Sequence, residues 1–281
     1  MNILILGKGY IGNYLAKSHT KHNITHISKK DLDYSNPEVL EFYIKNSNFD
    51  WIINSSGYTG KPNVDACEND KENCYHYNVT VPLYITKVAN KLNIPIIHIG
   101  SGCIYSGYEK HYTECDLSDF GADCFNSSFY SKSKDTFEKL SESLNRYIFR
   151  IRIPFNGIPE PKNYLYKLLH YDNLISMPNS VTNIDDLVDF TFKFIDKNPE
   201  YGIYNVVNTG SIDARQIIPL MRNANIENEK WKFVTIPEAN FKVERSNCIL
   251  NVDKIKKLGL ELEDVNSSII KSIKQYKERS I

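Results

Sequence analysis

Tyr130 and Lys134 stand four apart in Ser128-Phe-Tyr-Ser-Lys-Ser-Lys134. That spacing puts both on one face of a helix. An ammonium beside a phenol favours the phenolate and lowers its pKa. A tyrosine so placed can hand a proton to a substrate oxygen near neutral pH. Lys132 competes for the role, but on a helix it points about 100° away. Ser101, in Gly100-Ser-Gly-Cys-Ile-Tyr105, offers a hydroxyl to the same oxygen. Far upstream, Gly7-Lys8-Gly9-Tyr10-Ile11-Gly12 reads G-x-G-x-x-G. There the first glycine permits a tight turn, the second lets a pyrophosphate approach the backbone, and the third lets a helix pack on a sheet. Helix N–H groups opening at Tyr10 and Ile11 face the anion. Beyond the second strand comes Ser28-Lys29-Lys30. Two cations and a hydroxyl suit a 2′-phosphate, hence NADPH, while Asp31 and Asp33 keep NAD open.

These residues need a scaffold, and the chain offers strands alternating with helices. Asn2–Leu6, Ile24–Ile27, Asp50–Ile53, Ile94–Ile99 and Tyr147–Ile151 are apolar runs with little alternation, so both faces are expected to be buried. Helices are expected over Ile11–Ser18, Pro37–Lys45, Cys74–Leu92 and Ser128–Leu144. This rhythm predicts an α/β fold, a doubly wound parallel sheet of Rossmann type. After Pro154 the pattern loosens, with further prolines at 159, 161 and 178. A nucleotide-binding domain over 1–155 is expected, with a smaller C-terminal substrate domain over 156–281. The chain is expected to return to the first near 184–207, with a helix Ile184–Lys197 and a strand Gly202–Val207. Ala214–Asn223 and Val265–Glu278 read as later helices.

Composition narrows the function classes. Of 281 residues, 34 are Lys or Arg and 34 Asp or Glu, so the formal charge is zero. That argues against a general nucleic-acid binder. No apolar run reaches the roughly 18 residues of a membrane span, and Asn2–Leu6 is too short for a signal-peptide core. The six cysteines, 67, 74, 103, 115, 124 and 248, show no zinc-like spacing and read as reduced cytoplasmic thiols. His19, His22, His26, His76, His98 and His111 show no ligand spacing either, so no metal is expected.

Longer strings carry a family resemblance. They are Asn54-Ser-Ser-Gly-Tyr-Thr-Gly-Lys-Pro-Asn-Val-Asp-Ala-Cys-Glu68, Gly100–Tyr105, Ser128–Lys134, Arg150-Ile-Arg-Ile-Pro154, Pro178-Asn-Ser-Val-Thr182, Gly202-Ile-Tyr-Asn205 and Arg245-Ser-Asn247. Together the chain resembles the extended short-chain dehydrogenase/reductases near the dTDP-4-dehydrorhamnose reductases. It is still more similar to the 3,5-epimerase/4-reductase half of plant UDP-rhamnose synthases. The resemblance implies a catalytic Ser101, Tyr130 and Lys134, and a pyrophosphate held at Gly7, Gly9 and Gly12. It puts Ser55, Ser56 and Gly57 beside the cofactor and Asn78 behind the catalytic lysine. Lys61, Asn63, Asn163 and Arg245 would meet the nucleotide sugar, Arg245 through its planar fork. The alternatives are a helix N-cap for Asn63 and an ion pair for Arg245.

Cys103 separates two chemistries. Reduction needs no thiol, whereas epimerisation at C3 and C5 needs protons removed and returned. GDP-keto-sugar epimerase-reductases similarly place a Cys two after the catalytic Ser. If the segment is extended, Ser101 and Cys103 point the same way. Free cysteine is also among the most buried residue types and often only packs. Lys167 matches a lysine of the plant sequences and is the expected second acid/base, with His170 in reserve.

The resemblance thus implies an NADPH-dependent enzyme converting UDP-4-keto-6-deoxyglucose to UDP-L-rhamnose, possible as a homodimer. No dehydratase half precedes the chain, so a separate 4,6-dehydratase would supply the keto sugar. The competing readings are a dTDP-4-dehydrorhamnose reductase without epimerase activity and a non-catalytic NADP-binding regulatory subunit.

Overall fold

The computed structural model describes residues 1–18, 20–61, 63–239, 241 and 243–280, without the side chain of residue 280. Its centre is a six-stranded parallel sheet. The strands are β1 (Asn2–Leu6), β2 (Asn23–Ile27), β3 (Trp51–Asn54), β4 (Ile96–Ser101), β6 (Tyr147–Ile151) and β10 (Gly202–Asn205), in the order β10-β6-β4-β3-β1-β2. β1 lies between β2 and β3, pairing Leu6 with Ile27 on one side and with Asn54 on the other. The order reverses at β1, and in sheets of this kind ligands bind outside the carboxyl ends of the strands at such a point.

Both faces of the sheet are covered, which is why its strands lack polar alternation. Ile3 and Ile5 pack with Ile53, Ile97 and Phe149 against Leu15 of α1 (Tyr10–Lys17) and Leu187, Phe190 and Phe194 of α7 (Ile184–Lys197). Leu4 and Leu6 turn the other way, onto Leu40 and Ile44 of α2 (Pro37–Lys45) and Ile85 and Val88 of α4 (Val81–Lys91). α2 starts where expected because Asn36 accepts from the Glu38 and Val39 N–H groups and proline opens the helix. α7 starts on an equivalent Asn183 cap and ends on Asn198 in the left-handed conformation, φ 43°.

One helix departs from expectation. Cys74–Leu92 is not continuous: α3 (Lys71–Tyr75) runs into a π-helical turn, His76–Thr80, and then α4. Pro82 has no N–H to give the carbonyl of residue 78, and its ring crowds that carbonyl, so the turn widens there.

The remaining elements are short. β5 (Gly107–Tyr112) pairs with β12 (Cys248–Leu250), β7 (Pro154–Phe155) with β9 (Thr182–Asn183), and β8 (Asn173–Leu174) with β11 (Lys232–Phe233). A second core gathers Phe155, Leu165 and Leu168 of α6 (Tyr164–His170), Ile217 and Met221 of α8 (Ala214–Asn223), and Ile269 and Ile273 of α10 (Val265–Ser280). α9 (Asp253–Lys257) packs beside β10. Among the described residues no helix is long and apolar enough to cross a membrane.

Candidate active site

The glycine turn leaves β1 and enters α1 with three distinct constraints. Gly7 sits at φ 104°, and a Cβ there would lie 2.8 Å from the Ser56 nitrogen. A Cβ on Gly12 would lie 2.1 Å from the Gly7 carbonyl oxygen and 2.4 Å from Ser55 Oγ. A Cβ on Gly9 would meet nothing within 4 Å. Two glycines therefore serve packing, and the middle one keeps open space above the backbone. Gly9 is also the N-cap of α1 and gives no side-chain cap, so the N–H groups opening at Tyr10 and Ile11 have no side-chain acceptor. An open approach over uncapped helix N–H groups fits a dinucleotide pyrophosphate.

The wall opposite is the loop after β3. Ser55 Oγ donates to the Leu6 and Gly7 carbonyls at 2.9 Å each. Asn54 Oδ1 accepts from the Ser56 N–H and hydroxyl, at 3.1 and 2.5 Å. Asn54 Nδ2 donates to His98 Nδ1 at 3.1 Å, so Nε2 carries the ring hydrogen and gives it to Thr86 Oγ1 at 2.9 Å. Burial pushes His98 down to about 3, helped by Arg146 and Lys134, so it stays neutral. Asn78 grips the same loop from the π turn. Its Oδ1 accepts from the Tyr58 N–H and its Nδ2 donates to the Tyr58 carbonyl, both at 2.9 Å, and Nδ2 also reaches Ser133 Oγ at 3.1 Å. A Cβ on Gly57 would lie 3.1 Å from Asn78 Oδ1 and 3.5 Å from Lys134 Nζ, so Asn78 and Lys134 flank one loop glycine.

α5 (Phe129–Leu140) carries Tyr130 and Lys134. Ser128 caps it through the Ser131 N–H at 3.1 Å, and the Phe129 N–H donates to Glu68 Oε1 at 2.6 Å. In its last turn Glu138 receives Arg150 of β6, with both carboxylate oxygens 3.1 Å from Nε, and Arg150 also donates to the Tyr105 hydroxyl at 2.8 Å. The helix is thus pinned at its start and in its last turn. Lys134 Nζ lies 5.7 Å from the Tyr130 ring centre. Ser101, at the end of β4, lies close enough to influence the Tyr130 phenol, and Ser101 and Ser131 both lie close enough to influence the Cys103 thiol. Ser101, Cys103, Tyr130 and Lys134 all stay partly exposed.

Two expectations need correction. Gly102–Ile104 is a 3-10 turn rather than an extended segment, so Ser101 and Cys103 converge because the chain folds back, with the Cys103 N–H donating to Ser101 Oγ at 3.3 Å. The Tyr130 phenol is not depressed by Lys134. Burial and the Cys103 thiol push it up, against Ser101, and burial lowers Lys134 itself. Burial likewise raises the Cys103 thiol, against Ser101, Ser131, Arg152 and Lys134. Arg152 was not foreseen as part of the site. It donates to the Gly102 carbonyl at 3.2 Å and to Ser246 Oγ at 2.7 Å, fixing the turn that presents Cys103. Its signal was the second arginine in Arg150-Ile-Arg-Ile-Pro154.

The other expected residues are more dispersed. Tyr10 reaches Asn156 Oδ1 at 3.4 Å, and Ile11 packs on the core. Ser28 and Lys29 stand at the end of β2, Ser28 bonded to Asp31 and Lys29 to the Tyr77 hydroxyl at 2.8 Å. Asn63 is an N-cap, accepting the Asp65 N–H at 2.9 Å. Arg245 forks onto Asp65, with Nη2 2.8 Å from Oδ2, and lies over the Phe241 ring at 4.2 Å. Lys61 is exposed. Asn163 is corrected as a sugar ligand: it is fully buried, and its amide is spent on Asn156, the Ile158 carbonyl at 2.6 Å and the Leu165 N–H. Lys167 is half-buried on α6, and burial lowers its pKa. His170 is exposed and stacked on Tyr166. Among the described residues no three His, Cys, Asp or Glu side chains gather where they could hold a metal. His19 lies outside the described residues.

Residues 1–278 match the family described as RmlD substrate binding domain. An Arabidopsis thaliana trifunctional UDP-glucose 4,6-dehydratase/UDP-4-keto-6-deoxy-D-glucose 3,5-epimerase/UDP-4-keto-L-rhamnose-reductase is 30% identical over 96% of this chain, which spans only 41% of that protein. A bifunctional dTDP-4-dehydrorhamnose 3,5-epimerase/dTDP-4-dehydrorhamnose reductase of the same plant is 29% identical, covering 97% of this chain and 92% of its own. The solved UDP-rhamnose synthase of Acanthamoeba polyphaga mimivirus superposes with a TM-score of 0.89 at 25% identity, over 98% of this chain and 99% of that one. A dTDP-4-dehydrorhamnose reductase of Bacillus anthracis, solved in complex with NADP, superposes at 0.83 with 19% identity, over 98% of each chain. The chain belongs to the RmlD substrate-binding-domain family and has the extended short-chain dehydrogenase/reductase fold.

Proposed function

We propose that the chain is an NADPH-dependent 4-keto-sugar reductase that also epimerises C3 and C5, turning UDP-4-keto-6-deoxyglucose into UDP-L-rhamnose. The observation that carries this is geometric: Lys134 Nζ lies 5.7 Å from the Tyr130 ring centre and flanks the loop glycine Gly57, and the turn after β4 brings Cys103 back onto Ser101, its N–H donating to Ser101 Oγ at 3.3 Å. NADPH, when bound, supplies hydride to C4. Tyr130 gives its proton to the C4 oxygen, and the Ser101 hydroxyl holds that oxygen in place. Lys134, set beside Tyr130 by helix spacing and flanking Gly57, offsets the charge left on the phenolate.

Epimerisation uses the same oxygen. The C4 ketone acidifies the hydrogens on C3 and C5, and Ser101 and Tyr130 steady the enolate. Cys103 is the proton carrier on one face, with the Arg152 cation supporting its thiolate. Lys167 is the proposed partner, on its match to a lysine of the plant sequences, and burial lowers its pKa. Lys61, Asn63 and Arg245 are proposed to meet the nucleotide diphosphate, which requires Arg245 to exchange Asp65 for phosphate. A 4,6-dehydratase activity would supply the keto sugar. The curated relatives support both the epimerase and the reductase step, since each is named for the pair.

A reductase without epimerase activity is the second reading, favoured by the burial that keeps the Cys103 thiol protonated. Turnover of UDP-4-keto-6-deoxyglucose with NADPH in deuterated water separates the two. Product of rhamnose configuration carrying deuterium at C3 and C5 is expected. Unlabelled product of retained configuration would leave reduction alone.

A further inference from the structure

Two buried arginines stand two apart at the end of β6, and only one has an acid. Arg150 is 3% exposed and pairs with Glu138. Arg152 is 5% exposed, and its partners among the described residues are all neutral. Its Nη1 donates to the Gly102 carbonyl at 3.2 Å and to Ser246 Oγ at 2.7 Å, and its Nη2 donates to the Ser246 carbonyl at 3.0 Å and to Asn179 Oδ1. Its buried Nε meets no acceptor among the described residues. A guanidinium cannot shed its proton, and a buried charge without a counter-charge is costly. The nearby group that can become an anion is a thiol. A Cβ on Gly102 would lie 3.1 Å from Arg152 Cγ and Cδ, so the arginine stem runs against the residue between Ser101 and Cys103. The ionisable groups close enough to act on Cys103 are Tyr130 and Lys134 of α5, Arg152, and Cys248 of β12. Cys248 is fully buried and directs its S–H to the Gly102 carbonyl at 3.6 Å, whereas Cys103 is half-buried.

We propose that Asn179 is a positioning residue for the proton exchange at C3 and C5: its neutral amide anchors Arg152 without neutralising it, which keeps that charge free for the thiolate that Cys103 forms during turnover. The inference deepens the epimerase reading above and rests on it. When Cys103 gives its proton to the enolate carbon, a C–H bond forms and the S–H electron pair stays on sulfur. When it takes a proton from C3 or C5, the C–H pair passes to the C4 oxygen and the thiol is restored. Sulfur is anionic at one end of either step, and Arg152 is then no longer unpaired. Asn179 is fixed from both sides of its amide. Oδ1 also accepts the Cys248 N–H at 3.1 Å, and Nδ2 donates to the Met177 carbonyl at 3.1 Å and to Asn247 Oδ1 at 2.9 Å.

Asn179→Asp tests this, because it keeps the acceptor and adds the missing acid. Cys103 alkylation by iodoacetamide is followed against pH in the full chain by peptide mass spectrometry. Deuterium uptake at C3 and C5 of UDP-4-keto-6-deoxyglucose is followed with NADP+ in place of NADPH, so exchange is read without reduction. The variant should need a pH about one unit higher to alkylate Cys103 at half its limiting rate, and should take up label about tenfold more slowly. A residue that only braces the turn would not produce this loss, since a carboxylate holds Arg152 more tightly than an amide does. Arg152→Gln should move the midpoint the same way, and Arg152→Lys should restore it. A midpoint and an uptake rate within twofold of wild type in a folded Asn179→Asp or Arg152→Gln chain overturn the inference. The wild type supplies a check that needs no variant. Anionic iodoacetate should be favoured over iodoacetamide at Cys103 more than at the exposed Cys115, and equal ratios at the two thiols also overturn it. If Cys103→Ala keeps the label, the thiol's part in epimerisation falls and takes this inference with it. If Cys103→Ala loses the label and Asn179→Asp keeps it, this inference falls alone.

Discussion

Gly9→Ala and Gly12→Ala should fail in opposite ways, although each adds one methyl group to the same turn. At Gly9 the backbone has φ −90°, which alanine adopts freely, and the new Cβ meets nothing within 4 Å. Its stability cost is that of a weaker N-cap, under about 1 kcal/mol. The methyl projects into the space through which a pyrophosphate reaches the α1 amides. Losing even one charge-assisted hydrogen bond, about 1.5–3 kcal/mol, weakens NADPH by about 10- to 150-fold. At Gly12 the Cβ would sit 2.1 Å from a backbone carbonyl and 2.4 Å from Ser55 Oγ. Neither can yield, because Ser55 is bonded to the carbonyls of Leu6 and Gly7. Overpacking of this kind costs about 1–3 kcal/mol of stability. Urea unfolding and NADPH fluorescence titration on both variants read the two effects separately. A Gly9→Ala variant with wild-type NADPH affinity, or a Gly12→Ala variant as stable as wild type, would refute the division of labour.

Tyr130→Phe should lower kcat for ketone reduction by about 100-fold or more while NADPH affinity stays within about threefold; equal losses in both would remove the phenol from proton transfer. Cys103→Ala should stop deuterium incorporation at C3 and C5 in a chain that still unfolds cooperatively and binds NADPH, and retained label would exclude the thiol. His98 predicts a pH effect. Its folded pKa of about 3 lies below the ordinary value of 6.5, so the unfolded chain binds the extra proton first. Its contribution is whole above pH 6.5 and drains as pH falls toward 3, by at most about 1.4 kcal/mol per unit. Urea midpoints at pH 7, 5.5 and 4.5 should fall faster in the wild type than in His98→Gln, and parallel slopes would refute it. Glu138→Ala should cost about 3–5 kcal/mol in urea, because it strands the Arg150 guanidinium inside the sheet; a loss under about 1 kcal/mol would contradict the pinning of α5.

The sheet was readable because strands buried on two faces leave a mainly apolar run without polar alternation, as at Asn2–Leu6 and Tyr147–Ile151, which the structure reproduces residue for residue. Helices with local stop and start signals were equally plain: Pro37–Lys45 has its Asn36 cap, and Ala214–Asn223 has an Asp213/Gln216 capping box. What escaped depends on contacts between distant segments. β5 and β12 pair across more than a hundred residues over only a few positions, and no local pattern marks either. In the site, residue identities were legible from their motifs, but their electrostatics were not. Whether Lys134 depresses Tyr130 depends on how much water each loses, and burial decided that against the expectation. Asn163 shows the same gap: an asparagine ahead of a helix is equally a cap and a ligand until its surroundings are known.

The wide turn at His76–Thr80 makes chain length a fragile variable in this stretch. Deleting one residue there would restore ordinary helical bonding and swing everything on one side of the cut by about 100°. Asn78 would lose its two-pronged hold on Tyr58, and Cys74 its place beside Ser133. The spacing between Cys74 and Asn78 thus matters as much as their side chains, since the widened turn is what lets both reach Ser133.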